Sequence, residues 1–437
     1  MYGDTMLGYW PLEAFPAFDK GEEAFWGGQV CNMHEGQEYT TTGMGSGYHP
    51  IEELFSGKRI PLFRYISNKT SRLSTQAVQV GWDRGLQTSL YVTSVGLGTP
   101  AKTQIVEIDT GSSTSWVFCE CDGCHTNPRT FLQSRSTTCA KVSCGTSMCL
   151  LGGSDPHCQD SENYPDCPFR VSYQDGSASY GILYQDTLTF SDVQKIPSFT
   201  FGCNLDSFGA NEFGNVDGLL GMGAGPMSVL KQSSPTFDGF SYCLPLQKSE
   251  RGFFSKTTGY FSLGKVATRT DVRYTKMVAR RKNTELFFVD LAAISVDGER
   301  LGLSPSIFSR KGVVFDSGSE LSYIPDRALS VLSQRIRELL LRRGAAEEES
   351  ERNCYDMRSV DEGDMPAISL HFDDGARFDL GSHGVFVERS VQEQDVWCLA
   401  FAPTESVSII GSLMQTSKEV VYDLKRQLIG IGPSGAC

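Results

Sequence analysis

The chain has 437 residues, 40% of them hydrophobic, and a formal net charge of −13. This length allows two domains of ordinary size and a tail, and the acidic balance disfavours nucleic acid and anionic membranes as partners, because binding to phosphates needs clustered Lys and Arg. Forty-five glycines among many short β-branched or aromatic segments favour strands joined by tight turns. The composition therefore predicts an all-β protein.

The cysteine content predicts an oxidising compartment. Fourteen cysteines are many for a reduced compartment, and eight of them crowd between positions 119 and 167. Cys121-Asp-Gly-Cys124 has the spacing of half a zinc site, but no second Cys or His pair follows at a matching distance. Disulfides are favoured over zinc, and we predict no metal and no cofactor.

Residues 1–88 are predicted to be an N-terminal extension or a removable pro-segment. Residues 1–50 show no sustained hydrophobic period, and residues 51–88 are basic and polar. Asn68-Lys69-Thr70 is a glycosylation sequon if the chain enters the secretory pathway.

The leader segment and the cysteines point to different compartments. Residues 1–29 lack the basic n-region and apolar core of a signal peptide, and no segment reaches the roughly 18 apolar residues of a membrane span. We expect the signal to be missing or misassigned, because the cysteines are spread through the fold whereas a start codon is one position. The predicted location is secreted, apoplastic or vacuolar.

A β-domain is predicted to begin at Leu90. From there to Gly98, apolar residues alternate with small or polar ones, as in a half-buried strand. The next apolar segment, Val106–Ser113, delivers Asp109 into a turn of hydroxyl residues and glycine. This placement of a carboxylate at the end of a buried strand is the first indication of a site.

Two further elements of the first half have clear patterns. Residues 169–173 and 181–184 flank a turn at 174–177, which predicts a β-hairpin whose tip projects over a cleft. Residues 216–223 form an apolar segment that ends in glycines, which predicts a buried strand approached closely by another backbone.

The second half repeats this plan. Residues 313–319 again place an aspartate, Asp316, between a buried strand and a turn, and residues 407–412 repeat the apolar strand with its glycine. Residues 287–291 and 293–298 predict a hairpin before the second aspartate. We therefore predict an N-terminal lobe at 89–245 and a C-terminal lobe at 246–437.

The second half also contains features that the first lacks. Residues 327–343 place leucines and Ile336 on one helical face, which predicts a helix packed on the lobe. The arginines of this helix are predicted to be solvated rather than to form a binding patch. An exposed acidic loop is predicted at 345–351.

Asp109 and Asp316 are predicted to be a catalytic pair. Two carboxylates within hydrogen-bonding distance cannot both ionise, so they share a proton and provide an acid and a base together. The base can activate a water while the acid polarises the carbonyl that the water attacks. Such a mechanism needs neither a metal nor a covalent intermediate.

The residues after each aspartate are predicted to support this pair. One hydroxyl of each loop can bond the carboxylate, another can tie the two loops together, and a glycine lets backbone amides approach. A single loop of this kind is more often only an Asx-capped turn, but two copies in matched contexts favour a site. The supporting residues are Thr110, Gly111, Ser112, Ser317, Gly318 and Ser319.

Glu107 adds a charge two residues before Asp109, on the same face of the strand. It either reaches the pair and raises its apparent pKa, or lies too far back along the strand and is solvated or paired. The second interpretation is favoured.

From about Leu90 to its C-terminus the sequence resembles a pepsin-type aspartic endopeptidase, and the cysteine-rich segment narrows the resemblance to the plant nepenthesin-like branch. The resemblance implies a bilobal all-β fold with two similar β-barrel-like lobes and the active site in the cleft between them. The motifs that carry it are Ile108–Ser112, Tyr173–Ser177, Thr200–Cys203, Gly218–Gly223, Phe240–Cys243 and Phe315–Ser319.

The resemblance also implies roles for individual residues. Asp109 and Asp316 correspond to the catalytic dyad, and Tyr173 to the tyrosine of a flap that closes over substrate. The flap continues through Asp175, Gly176 and Ser177.

Disulfides are implied as well, between Cys354 and Cys398 and between Cys243 and Cys437. Twelve cysteines fall where this branch has them. Cys31 and Cys139 are left over, and they either pair with each other, pair between chains or stay free.

The implied activity is hydrolysis of peptide bonds in a peptide or protein substrate at acid pH, by a monomer without a cofactor. The alternative is a catalytically silent relative that binds another protein as an inhibitor or receptor. A broken dyad or a missing flap tyrosine would indicate this alternative, and the sequence has neither.

Overall fold

The computed structural model describes residues 78–81 and 90–437, apart from 122–128, 153–157, 159–164, 175, 193, 209–215, 234–236, 247–258, 265, 267–268, 280–284, 392–393 and 436. Most of the predicted N-terminal extension, with Cys31 and Asn68, lies outside the described residues. Asp175 of the predicted flap lies outside them too.

Strands dominate the described ranges, and the predicted all-β class is confirmed. The strands as far as the middle of the chain are β1 (Val78–Gly81), β2 (Val92–Leu97), β3 (Lys102–Asp109), β4 (Trp116–Phe118), β5 (Ala140–Lys141), β6 (Pro168–Ser172), β7 (Ala178–Ser191), β8 (Gln194–Phe208), β9 (Gly218–Gly221), β10 (Gly239–Cys243), β11 (Gly259–Gly264) and β12 (Arg273–Lys276). Those that follow are β13 (Phe288–Val289), β14 (Leu291–Val296), β15 (Glu299–Arg300), β16 (Val313–Phe315), β17 (Ser322–Ile324), β18 (Ala346–Glu347), β19 (Cys354–Asp356), β20 (Ile368–Phe372), β21 (Arg377–Leu380), β22 (Phe386–Val391), β23 (Gln394–Leu399), β24 (Phe401–Pro403), β25 (Ser408–Ile410), β26 (Lys418–Asp423) and β27 (Leu428–Ser434).

Helices are short, with one exception. They are α1 (Ser147–Leu151), α2 (Val229–Gln232), α3 (Ser306–Ser309), α4 (Asp326–Arg342), α5 (Ser382–Val385) and α6 (Ser412–Gln415), with 3-10 turns at Gln133–Arg135 and Glu362–Asp364. None of the helices in the described ranges combines the length and the apolar character that crossing a bilayer requires.

Helix α4 confirms the predicted amphipathic helix, and the four leucines of its predicted apolar face and Ile336 are buried against the second lobe. Two of its arginines pair with carboxylates at the surface, Arg335 with Glu299 at 2.5 Å and Arg337 with Glu347 at 2.7 Å. These two side chains are therefore engaged within the chain.

The first lobe is built around β3, which ends at Asp109. Strand β3 pairs antiparallel with β2 and parallel with β9, and β9 pairs in turn with β4. The predicted hairpin is present, because β6 pairs antiparallel with the first part of β7. The predicted buried strand ending in glycine is β9, and all four of its residues are buried.

The second lobe repeats this arrangement around β16, which ends one residue before Asp316. Strand β16 pairs parallel with β25, as β3 does with β9, and β25 pairs with β17. The predicted hairpin of residues 287–298 is wrong, because β13 pairs with β16 whereas β14 pairs with β15 and β20. Only Asp290 separates β13 from β14, so the chain passes from one sheet to another instead of reversing.

One sheet connects the two lobes. Its strand order runs β12-β27-β26-β10-β11-β1 and continues through β2 into the first lobe. Strand β1 pairs with both β11 and β2, although it precedes the predicted lobe boundary at residue 88. The predicted boundary at 245/246 likewise separates β10 from β11, which pair with each other. The lobes therefore share their base.

Disulfides account for most of the described cysteines. The two predicted pairs, Cys243–Cys437 and Cys354–Cys398, are present, and Cys139 is half-buried and packs against the core. The other pairs between described residues are Cys119–Cys203, Cys144–Cys158 and Cys149–Cys167.

Three sulfurs of the cysteine-rich region lie close enough together to suggest a metal site. The sulfurs of Cys144, Cys149 and Cys158 lie within 4.8 Å of one another. Each of these residues already belongs to a disulfide, and a metal would need free thiolates. Their proximity therefore reflects two adjacent disulfides.

Candidate active site

The two aspartates lie at the ends of buried strands that are held by neighbouring glycines. A Cβ atom at Gly221, at the end of β9, would lie 2.4 Å from the backbone of the loop that follows Asp109. A Cβ atom at Gly411, just after β25, would lie 2.2 Å from a carbonyl oxygen in the loop that follows Asp316. Only glycine allows these close backbone approaches, which set the position of each aspartate loop.

Each carboxylate receives a backbone and a side-chain hydrogen bond from its own loop. The backbone N–H of Gly111 donates to Asp109 Oδ1 at 2.7 Å, and the hydroxyl of Ser112 donates to Oδ2. The second copy is equivalent. Gly318 N–H donates to Asp316 Oδ1 at 2.9 Å, and the Ser319 hydroxyl donates to Oδ2 at 2.8 Å. These are the contacts that the sequence predicted.

The two loops are tied to each other by their second hydroxyl residues. Ser317 N–H donates to Thr110 Oγ1 at 3.0 Å, and Thr110 N–H donates to Ser317 Oγ at 3.2 Å. The hydroxyls reach farther across, because Thr110 Oγ1 donates to Phe315 O at 3.1 Å and Ser317 Oγ donates to Ile108 O at 2.7 Å. This reciprocal network, which we call the cross-lobe lock, holds the two aspartate strands together.

The glycines of the loops show how close the two carboxylates are. A Cβ atom at Gly111 would lie 2.6 Å from Asp316 Oδ2, and one at Gly318 would lie 2.3 Å from Asp109 Oδ1. Each carboxylate therefore lies over the glycine of the opposite loop. The structure brings the two predicted aspartates into one site, and any side chain larger than hydrogen at either glycine would strike a carboxylate.

Burial and proximity change how the carboxyls titrate. Asp109 is 4% and Asp316 is 7% exposed. Burial, followed by the charge of Asp316, raises the pKa of Asp109 from its ordinary value of 3.8 to about 8. Burial also raises the pKa of Asp316, against the hydrogen bonds from Ser319 and Gly318. The pair therefore retains one proton where isolated carboxyls would have lost theirs.

The predicted flap tyrosine lies in the turn that joins β6 to β7. Tyr173 N–H donates to Ser177 O at 2.9 Å, and Gly176, with φ of 88°, donates its N–H to Tyr173 O at 3.1 Å. The tyrosine hydroxyl accepts a 2.6 Å hydrogen bond from the indole nitrogen of Trp116.

Trp116 was not singled out in the sequence. It is fully buried on β4, the strand that follows the Asp109 loop. Its position seven residues after Asp109 was visible, but a tryptophan in an apolar strand is usually core. The hydrogen bond to Tyr173 links the flap to the strand next to the aspartate loop.

The positions of two glutamates refine the electrostatics of the site. Glu107, which was predicted to be solvated or paired, is 3% exposed within β3 and is therefore not solvated. Glu285, which no motif marked, is held beside the Asp109 loop, because Ala224 N–H donates to its carbonyl oxygen at 2.8 Å. Burial raises the pKa of the Glu285 carboxyl, and the Ser113 backbone N–H stabilises its charged form.

Beneath the aspartates lies a group of buried polar side chains that the sequence did not indicate. The Tyr422 hydroxyl donates to Phe315 O at 3.2 Å, next to the cross-lobe lock. The Tyr242 hydroxyl donates to the side-chain oxygen of Gln415. Burial raises the pKa of both tyrosines, which therefore stay protonated donors.

Comparison with known proteins gives a consistent family assignment. The family model described as xylanase inhibitor N-terminal matches residues 91–264, and the one described as xylanase inhibitor C-terminal matches residues 286–433. A third model, described as Neprosin, matches residues 1–85. The first two together cover the region that the sequence analysis divided into lobes.

Similar proteins are named as aspartic proteases of plants. Aspartyl protease family protein 2 of Arabidopsis thaliana is 31% identical over 363 residues, which span 79% of this chain and 70% of that protein. Aspartyl protease AED1 of the same plant is 29% identical, spanning 88% of this chain and 79% of that protein. Aspartic proteinase nepenthesin-2 of Nepenthes gracilis is 27% identical and spans 92% of both chains.

A solved structure shares the fold. The crystal structure of edgp superposes with a TM-score of 0.63 at 16% sequence identity, covering 84% of this chain and 96% of that one. At this identity the likeness shows the architecture alone. The predicted pepsin-like bilobal fold is confirmed.

Proposed function

Because the chain belongs to the nepenthesin-like branch of the pepsin-type aspartic protease family, we propose that it is an endopeptidase that hydrolyses peptide bonds of proteins at acid pH. The observation that carries this proposal is the buried pair of carboxyls, Asp109 and Asp316, each with its own set of donors and each lying over the glycine of the opposite loop. A turn with a merely structural role has no need to bring two carboxyls together at this cost in desolvation.

In the proposed reaction the pair holds one proton. The ionised carboxylate takes a proton from a water, and the oxygen of that water attacks the carbonyl carbon of the peptide bond. The protonated carboxyl donates a hydrogen bond to the carbonyl oxygen and stabilises the oxyanion as the tetrahedral intermediate forms. When the C–N bond breaks, a proton passes to the leaving amine and the pair regains its original state. The hydrogen bonds from Ser112 and Ser319 hold the carboxylates in orientation throughout.

We infer that the substrate is an extended segment of polypeptide lying under the flap. Family membership supports a role for Tyr173 in closing over the peptide, with Asp175, Gly176 and Ser177 beside it. The hydrogen bond from Trp116 would orient the tyrosine ring without using the backbone of the flap. A cleft of this kind binds several residues of an extended chain, and its pockets select their side chains.

An oxidising, acidic compartment of the secretory pathway is the proposed location. The disulfides among the described residues would not persist in a reducing cytosol. Glycosylation at Asn68 would follow from entry into this pathway.

The proposed function is tested with two variants and one control. Asp109→Asn and Asp316→Asn are expected to reduce cleavage of a denatured protein at pH 3 to 5 by about 10³-fold or more, because each removes half of the acid–base pair. Asp361→Asn changes an exposed carboxyl in the same lobe as Asp316 and should leave the rate unchanged. A statine-type transition-state analogue should block the wild type. Cleavage that survives both dyad substitutions would refute the proposal.

The alternative is a catalytically silent relative that binds a glycan-degrading enzyme; the two family models are described as xylanase inhibitor, but the similar proteins named as proteases do not favour it. The same purified chain tests it. Absence of cleavage at any acid pH, together with tight binding and inhibition of a xylanase, would support the alternative. Cleavage that depends on both aspartates would reject it.

A further inference from the structure

The main-chain carbonyls of the two aspartates are held in different ways. Asp109 O accepts a 2.7 Å hydrogen bond from the backbone N–H of Met222, one residue past β9. Asp316 O instead accepts a 3.2 Å hydrogen bond from a side chain, the Nε2 of Gln415 at the end of α6. A side-chain amide of the second lobe thus provides the donor that the main chain provides in the first.

The amide of Gln415 is fully used and fully buried. Its nitrogen also donates to Ile410 O at 2.7 Å, at the end of the strand that pairs with β16. Its oxygen accepts a hydrogen bond from the hydroxyl of Tyr242. Gln415 and Tyr242 are both 0% exposed. Asp316 O and Ile410 O can only accept, so the amide nitrogen must face them, and the Tyr242 hydroxyl donates to the amide oxygen at the other end.

Gln415 completes a clamp on the peptide bond between Asp316 and Ser317. The C=O of this peptide bond is bound by Gln415, and its N–H donates to Thr110 Oγ1 of the first lobe at 3.0 Å. Contacts at both ends of a planar peptide unit fix its rotation, and that rotation sets where the Asp316 side chain leaves the backbone. Tyr242 belongs to β10 in the shared sheet. The clamp therefore connects the backbone of Asp316 to the sheet on which both lobes are built.

We propose that Gln415, oriented by Tyr242, is the positioning residue for Asp316. It holds the peptide plane after Asp316 and so maintains the separation at which the two carboxyls share a proton. This inference rests on the proposed function. It adds a positioning role for a residue that touches neither the substrate nor the reacting atoms. Loss of the amide should misplace one carboxyl without removing it.

The test replaces the amide by a side chain of similar length. Gln415→Met is expected to lower kcat by about tenfold to a hundredfold, the effect of misplacing a catalytic group by about 1 Å, while KM changes less than about threefold. The alkaline limb of the pH profile should shift, because the carboxyl separation determines how tightly the shared proton is held. Tyr242→Phe, which keeps the amide and removes only its orienting hydroxyl, should change kcat and the pH profile in the same direction by a smaller factor.

Two matched variants separate positioning from stability. Gln104 is also 0% exposed, and its amide donates to Thr103 O and Arg129 O near the start of β3, away from Asp109. Gln104→Met should lower the melting temperature as Gln415→Met does, with kcat and pH profile unchanged. Gln415→Glu can donate to Asp316 O only while protonated, so its activity should be restored in part at low pH and lost as the pH rises.

The inference is overturned if Gln415→Met and Gln104→Met lose stability alike while both keep the wild-type kcat and pH profile. If Gln415→Met does not fold, Tyr242→Phe decides by the same criteria. If the wild type cleaves nothing, the proposed function fails by itself. In that case the positioning role is tested by measuring the pKa of the Asp316 carboxyl with carbon NMR. An altered pKa in Gln415→Met or Tyr242→Phe supports the positioning role, and an unchanged pKa refutes it.

Discussion

The two halves of the active site are alike around the carboxyls and different behind them. In both, a glycine N–H and a serine hydroxyl bind the carboxylate. In both, another serine hydroxyl accepts the N–H of the close-approach glycine, Ser115 for Gly221 and Ser322 for Gly411, each at 2.9 Å. Farther back, a main-chain donor in the first lobe is replaced by a side-chain amide in the second.

This difference shows which parts of a duplicated site are constrained by chemistry and which by packing. Two carboxyls that share a proton need equivalent donors, because unequal support would leave one of them with the proton permanently. The next layer has to satisfy the buried carbonyl behind each carboxyl and to hold its peptide plane in place. Any donor that fits can do so, and the two lobes use different ones.

The largest expected effect tests the symmetry of the carboxyl contacts. Gly318→Ala and Gly111→Ala should each lower kcat by about 10²-fold or more, because the added methyl group would displace the opposite carboxylate. Gly318→Ala should be the more severe, since its Cβ would lie 2.3 Å from Asp109 Oδ1 against 2.6 Å for Gly111 and Asp316 Oδ2. Steady-state cleavage kinetics measure both. Gly302→Ala, with open space around the new Cβ, is the control. A wild-type kcat in Gly111→Ala or Gly318→Ala would contradict the close approach of each carboxylate to the opposite glycine.

The next effect concerns the free energy of unfolding as a function of pH. A carboxyl whose folded pKa is raised makes the folded state less stable as pH rises from the unfolded pKa towards the folded one, here from about 4 to about 8. Asp109→Asn and Asp316→Asn should both be more stable than wild type at pH 7, by about 1.4 kcal/mol per pKa unit of the shift they remove, and this advantage should vanish near pH 3.

Melting temperatures across this pH range provide the measurement. An equal gain in the two variants indicates a proton held by the pair. A gain in only one of them would assign the raised pKa to a single carboxyl and break the equivalence of the two halves. Asp361→Asn, at an exposed position, is the control.

A smaller effect is expected for the cross-lobe lock. Thr110→Val and Ser317→Ala each leave a buried N–H of the opposite loop without its partner, which should cost about 1–3 kcal/mol of unfolding free energy. The double variant should cost less than the sum, because each change removes contacts made with the other residue. Denaturant unfolding of the four proteins measures this coupling. Additive costs would show that the two loops are held independently.

The smallest expected effect is the difference in stability between removing a disulfide of the shared sheet and removing one of the second lobe. Cys243–Cys437 closes a separation of 194 residues and Cys354–Cys398 one of 44. Replacing the first pair by alanines should cost about 1 kcal/mol more than replacing the second, because the longer loop restricts the unfolded chain more. Denaturant unfolding of the two double variants gives the difference. A greater loss from the Cys354–Cys398 pair would show that native contacts, rather than loop length, determine the result.

Much of this molecule could be predicted from local pattern. The aspartate loops, the hairpin with Tyr173 and helix α4 all follow from the spacing of apolar, hydroxyl and glycine residues over fewer than twenty positions. The predicted hairpin at residues 287–298 was wrong because it too relied on local pattern alone. Its alternation was correct for two strands, but pattern carries no information about which sheet each strand joins.

The sequence by itself determined the duplication and therefore the pair, because two copies of an aspartate loop in equivalent strands indicate one site between two lobes. Only the tertiary structure decided what stands behind the pair. The hydrogen bonds from Trp116 to Tyr173 and from Gln415 to Asp316 join residues 57 and 99 positions apart. Such contacts depend on how sheets pack and on which buried groups remain unsatisfied, and neither property is encoded in local spacing.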